Sequence, residues 1–172
     1  MKILVTGGCG YKGTVLVNNL LNNGHEVTSV DTQWFGNYLN HHENLTNIKL
    51  DIRNTNQIPV KGHDVIVHLA NIANDPAVEL NPSLSWEINV LAGQQLIEKA
   101  KKENVSQFIY ASSGSVYGVK DEPNVTEDLE LVPISVYNKT KMIAERVFLS
   151  YKNYMQVHCI RPATGCGFSP RM

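Results

Sequence analysis

Apolar and polar positions along this chain fall into short apolar runs separated by longer amphipathic stretches. Lys2-Ile3-Leu4-Val5 is an apolar run of the kind that a strand buried on both sheet faces shows. Runs of the same character lie at 26–30, ending in Asp31, and at 47–50, 64–70, 107–111 and 156–160. Between several of them the pattern changes to helical spacing. Val15, Leu16, Asn19, Leu20 and Asn23 keep apolar residues on one face until Gly24 offers a stop. Asn81-Pro82-Ser83 opens a long helix to about Asn104, with Ile88, Leu91, Gln95, Leu96 and Ala100 on one stripe and lysines at its end. Pro133-Ile134-Ser135 opens another through Tyr151, and 32–44, 71–76 and 119–132 read as loops. The alternation predicts an α/β fold: a doubly wound parallel sheet of about six strands with helices on both faces and right-handed crossovers.

The first handover from strand to helix carries glycine at 7, 10 and 13, in Thr6-Gly7-Gly8-Cys9-Gly10-Tyr11-Lys12-Gly13. A helix N-terminus offers unpaired N–H groups and a partial positive charge, which suit a pyrophosphate. Glycine lets the chain turn tightly and approach the phosphates closely. Gly7, Gly10, Tyr11, Lys12 and Gly13 are therefore candidate cofactor contacts. Asp31 closes the second strand, where a carboxylate accepts from both adenosine ribose hydroxyls and repels a 2′-phosphate, so NAD is expected over NADP. Asp51, at the end of the third strand, suits the adenine amino group or a cap for the next short helix; the two roles are compatible.

Composition excludes several partners. The chain has 172 residues, 42% of them hydrophobic, and a net charge of −1. Nothing favours nucleic acid or anionic lipid. No apolar run approaches the ~18 residues needed to span a bilayer, and the chain opens directly on a strand. Cys9, Cys159 and Cys166 are odd in number and far apart, which suits reduced thiols in the cytoplasm. Cys9, inside the phosphate turn, reads as a small filler in preference to a reactive thiol. No metal site is expected, since the adjacent His41 and His42 suit a solvated loop better.

Candidate chemistry gathers later. Ser112 and Ser113 follow the fifth strand, at the end of the sheet where ligands of open α/β folds bind. Tyr137 and Lys141 are four apart on one helix, so they share a face. An ammonium beside the phenol favours the phenolate, which can take a proton from a sugar hydroxyl. Lys141 can also hold the nicotinamide ribose, and Ser113 can hydrogen-bond the reacting oxygen. His68, on an apolar strand, reads as a core histidine more than as a base. Asn89, on the apolar stripe of the long helix, either pins neighbouring backbone or faces the cofactor.

With these residues in order, the chain resembles the extended short-chain dehydrogenase/reductase family, and within it the NAD-dependent nucleotide-sugar epimerases and dehydratases. The matching stretches are the glycine turn, Asp31, Asp51-Ile52-Arg53, His68-Leu69-Ala70, Asn89-Val90, 112–118, Tyr137-x-x-x-Lys141 and Arg161-Pro162. The resemblance implies a Rossmann domain over 1–172, with Ser113, Tyr137 and Lys141 as catalytic serine, tyrosine and lysine. It places Ile52, Leu69, Ala70, Asn89, Ser112 and Pro162 at the cofactor with the residues already named. It implies a nucleotide-sugar substrate and a homodimer through the helices beginning near Ser83 and Ser135. The family's 4,6-dehydratases carry Asp-Glu where this chain has Gly114-Ser115, its decarboxylating members carry Glu at Ser115, and its fucose-forming members carry Cys at Gly114. Oxidation and re-reduction at one carbinol, as in a 4-epimerase, is the chemistry that remains. Thr164 stands where the family often has a sugar-nucleotide-binding Asn. Family members are about twice as long, in the two-domain size range, so the C-terminal substrate domain is expected to be absent. A truncated NAD-binding, dimerising module without turnover is the alternative.

Overall fold

The computed structural model describes residues 1–171. Its centre is one six-stranded parallel sheet in the order β3-β2-β1-β4-β5-β6. The strands are β1 (Lys2–Thr6), β2 (Glu26–Asp31), β3 (Leu45–Lys49), β4 (Val65–His68), β5 (Gln107–Ala111) and β6 (Gln156–Ile160). β5 and β6 have the bounds that the apolar runs predicted. β4 stops before Leu69 and Ala70, which turn out of the sheet, and β3 begins two residues earlier than expected.

Alternation along β1 sends Ile3 and Val5 to one face and Leu4 to the other. On the first face helix α1 (Tyr11–Asn22) buries Val17 and Leu21 against Val27 and Val65. The second face carries the larger core, where Leu96, Ile97 and Phe148 pack on Leu4, Ile66 and Phe108. Two crossovers supply that layer. One contains α2 (Asp75–Leu80), α3 (Pro82–Trp86), a π segment (Glu87–Ala92) and α4 (Gly93–Lys102); the other contains α5 (Val136–Leu149). The crossover from β2 to β3 has no helix.

The long helix expected from Asn81 is present as a continuous αR path from α3 through the π segment into α4. Its start is specified by Asn81, whose side chain accepts from Leu84 N at 3.0 Å. α2 begins in the stretch 71–76 read as loop and continues through residues that the sequence reading left unassigned. Its start signal was present, because Asn74 accepts from Ala77 N at 3.0 Å and Pro76 sits in the first turn. Ser135 caps α5 by accepting from Asn138 N at 3.1 Å. The strand order reverses between β1 and β4, so the crevice beyond their carboxyl ends is where such a sheet takes a ligand.

Candidate active site

A cleft of about 490 Å³ opens at that switch point. It runs from the loop after β2, past the glycine turn, to the N-terminal part of α5. Gly7 lies at φ +76, and a Cβ there would stand 2.6 Å from Ala70 N. A Cβ at Gly13 would stand 2.1 Å from Gly7 O, so both positions require glycine if turn, helix and β4 are to meet this closely. Gly10 caps α1 with no side chain, so the first-turn N–H groups are left for a ligand.

Asp31 stands at the adenosine end. Its Oδ2 accepts from Cys9 N at 3.0 Å and its Oδ1 from Gln33 N at 2.6 Å. Two backbone donors fix the carboxylate while leaving lone pairs for ribose hydroxyls. Burial, aided by the Asp31 charge, pushes the Cys9 thiol up, which makes Cys9 a packed filler rather than a nucleophile. Asp51 forms an ion pair with Arg53 at 2.7 Å, and hydrogen bonds from Arg53 hold its carboxyl below the usual range. The 3-10 turn Thr55–Gln57 starts at Asn54 without a side-chain cap, so Asp51 does not cap it.

Thirteen of the residues expected at the cofactor or the chemistry line this cleft: Gly7, Gly10, Tyr11, Lys12, Gly13, Asp31, Asp51, Ile52, Leu69, Ala70, Ser112, Tyr137 and Lys141. Three do not. Asn89 is fully buried and takes the backbone-pinning role instead of the cofactor-facing one. Its Oδ1 accepts from Ile72 N at 2.8 Å, and its Nδ2 donates to Ile72 O at 3.2 Å and Thr140 Oγ1 at 3.1 Å. Pro162 lies behind the serine turn, where its carbonyl accepts from Gly114 N at 2.9 Å. Ser113 directly follows Ser112 of the lining, at the start of the turn after β5. Its hydroxyl lies 2.7 Å from that of Ser115, which donates to Asn138 Oδ1 at 2.7 Å.

The end near α5 is electrostatically unusual. Lys141 is only 4% exposed, and its Nζ donates to Ala111 O at 2.7 Å. Burial, with Lys12 repelling it across the cleft, brings its ammonium down to about 7. The Nζ is 5.8 Å from the Tyr137 ring centroid, and burial pushes the Tyr137 phenol up. A phenol that burial favours in its protonated form and a lysine brought near neutrality thus stand together. His68 is outside this group. It is fully buried among Phe108, Tyr110 and Phe148, shares a 2.7 Å hydrogen bond with Thr6, and burial holds it at about 3, so it is a neutral core residue.

Sequence reading missed three features. Glu145, 2% exposed, accepts from Ser112 Oγ at 2.8 Å and pairs with Arg161. Arg161 also donates to Tyr117 OH at 2.7 Å, so the end of β6 is tied to α5 and the serine turn. The signal was an acid one turn beyond Lys141. The segment after β6 passes back to the glycine turn, where Gly167 N donates to Tyr11 OH at 2.9 Å and Arg171 stacks 4.0 Å from the Phe35 ring. No local pattern predicts contacts across such a separation. The third is the particular part that Asn71 plays within the 71–76 loop, a loop whose small residues suit a close pass by the cofactor and which does line the cleft.

Comparison with known proteins agrees with this geometry. The model of the NAD-dependent epimerase/dehydratase family matches residues 3–171. The chain belongs to the NAD-dependent epimerase/dehydratase family. It is similar to UDP-glucose 4-epimerase of Corynebacterium glutamicum, 29% identical over 153 residues that are 88% of this chain and 46% of that protein. Among solved structures it is similar to UDP-N-acetylglucosamine 4-epimerase from Methanobrevibacter ruminantium M1, with TM-score 0.85, 29% identity, and 93% of this chain and 54% of that one covered. It is also similar to DesIV, a dTDP-glucose 4,6-dehydratase from Streptomyces venezuelae solved with NAD bound. There the TM-score is 0.87 and the identity 27%, over 94% of this chain and 55% of that one. The chain spans about half the length of the curated relatives it matches.

Proposed function

We propose that this chain is the cofactor-binding, catalytic-residue-bearing half of an NAD-dependent nucleotide-sugar epimerase that works by transient oxidation at one carbinol carbon. The observation that carries the reading is the convergence of Tyr137 and Lys141, beside Ser112, at one end of a cleft whose other end is Asp31 and the glycine turn. The residues present fit NAD: an uncapped helix N-terminus for the pyrophosphate, a glycine turn whose Gly7 and Gly13 leave no room for a Cβ, and a fixed carboxylate for the adenosine ribose. NAD, when bound, supplies the oxidant. Asp31 holds the ribose, Gly10 to Gly13 the pyrophosphate, and Lys141 the nicotinamide ribose. Tyr137 accepts the carbinol proton and returns it, while Ser113 hydrogen-bonds the same oxygen. Gly114 and Ser115 supply no acid–base pair for loss of water, which favours epimerisation over dehydration.

The substrate class follows from the family and from relatives that act on UDP-sugars. A second reading is an NAD-binding module without turnover; the chain spans 46% of the Corynebacterium relative. Among the described residues no helix is long and apolar enough to cross a membrane. Three free thiols suit the cytoplasm. Leu80, Leu91 and Ile134 expose apolar surface on and just before the helices expected to pair, which supports a homodimer.

Tyr137→Phe tests the base directly. The variant is expected to bind NAD as the wild type does and to lose at least a hundredfold in sugar-dependent cofactor reduction. Retained reduction would defeat the role of Tyr137.

A further inference from the structure

Lys141 is nearly sealed from solvent, and a buried ammonium needs acceptors for its three protons. Ala111 O supplies one at 2.7 Å. The side chain of Asn71 supplies another. Its amide satisfies its neighbours in one orientation, with the oxygen accepting from Lys141 Nζ at 3.2 Å and the nitrogen donating to Ile72 O at 2.8 Å and Asn89 Oδ1 at 3.2 Å. The oxygen faces the lysine because the Ile72 carbonyl, 2.8 Å away, claims the nitrogen.

That orientation is itself enforced. Asn89 lies in the π segment and is bound to Ile72 N, Ile72 O and Thr140 Oγ1. Thr140 precedes Lys141 on α5 and donates to Tyr137 O at 2.8 Å. The chain of contacts therefore leaves α5 at Thr140, passes through Asn89 and Asn71, and returns to α5 at Lys141. Such closed polar networks hold their members rigidly.

We propose that Asn71 is a positioning residue for Lys141, its amide oxygen holding the ammonium against the Ala111 carbonyl so that one N–H is left for the cleft. The surroundings give this oxygen weight. Lys141 is faced by Lys12 from α1, His68 from β4, Tyr110 from β5 with its ring 4.9 Å away, and Tyr137 from its own helix. None of these is a carboxylate. Glu145, one turn along α5, is engaged by Arg161 and Ser112. Asp75 acts on Tyr137. The ammonium thus depends on neutral oxygens, and Asn71 is the side chain among them. The catalytic meaning of this placement rests on the proposed function, but the placement does not.

The test is a titration of the Lys141 side chain by NMR in the full chain carrying isotope-labelled lysine, with Lys141→Arg to assign the signal. An acceptor favours the ammonium, so removing it lowers the midpoint and adding charge to it raises the midpoint. Asn71→Leu is expected to lower the Lys141 midpoint by about one pH unit, and Asn71→Asp to raise it by about one pH unit or more. A purely structural Asn71 would not move the lysine in opposite directions. Shifts of the same sign, or an unmoved midpoint in Asn71→Asp, would overturn the proposal. Should Asn71→Leu fail to fold, Asn71→Asp decides alone. Opposite shifts in a chain that never reduces NAD would retain Asn71's placement and defeat the proposed reaction, whereas turnover with an unmoved lysine would do the reverse.

Discussion

Asp31 shows how much one side chain decides in this cleft. Both its oxygens are held by backbone N–H groups, so the carboxylate cannot swing away to admit a 2′-phosphate. Asp31→Ala should therefore weaken NAD binding by roughly ten- to a hundredfold, as expected for two hydrogen bonds to a charged group, and NADP binding by much less. Titration calorimetry with both cofactors checks this, and an unchanged preference would remove Asp31 from the role. Residues whose work depends on their own place in an element could be read from the sequence: the glycines, Asp31, Tyr137 and Lys141 all reach the cleft. Residues whose work depends on distant partners could not. Asn89 left two roles open because its partners, Ile72 and Thr140, are separated from it by 17 and 51 positions. The part of Asn71 gave no signal, since its contact with Lys141 exists only once β4 and α5 are side by side.

At the scale of elements, the π segment between α3 and α4 is the feature with the most to explain. π segments occur often at functional sites, and this one contains the asparagine that braces the turn after β4. Asn89→Leu would leave the buried Ile72 N–H without its acceptor and sever the tie to Thr140. The expected cost is about 2–4 kcal/mol in urea unfolding, from one or two buried groups left unpaired. A loss below about 1 kcal/mol would mean that the brace is dispensable. Periodicity revealed the long helix but not this irregularity, because an added residue per turn disturbs an apolar stripe only slightly. α2 was hidden for a different reason. Six residues carry too little periodicity to outweigh a loop-like composition, although Asn74 and Pro76 marked its start.

The whole molecule is a sheet with its cleft beyond the carboxyl ends of the central strands. The doubly wound parallel sheet was legible because alternation of apolar runs with amphipathic stretches admits few other topologies, whereas the strand order came only with the structure. The turn-back of the segment after β6 onto Tyr11 was not legible, since it is made by single hydrogen bonds in a stretch without period. Ser112, Tyr117, Glu145 and Arg161 join β5, α5 and β6 just beside the proposed catalytic group, so the site's rigidity is built from this half of the relatives' length. What the remaining half contributes to turnover is therefore the central quantity. It is measured most directly by incubating the purified chain with NAD and a panel of UDP-, GDP- and dTDP-sugars and following the absorbance of reduced nicotinamide. Reduction with one UDP-sugar, abolished in Tyr137→Phe, is the predicted result. No reduction with any sugar, in a chain shown separately to bind NAD, would contradict it and leave a cofactor-binding module.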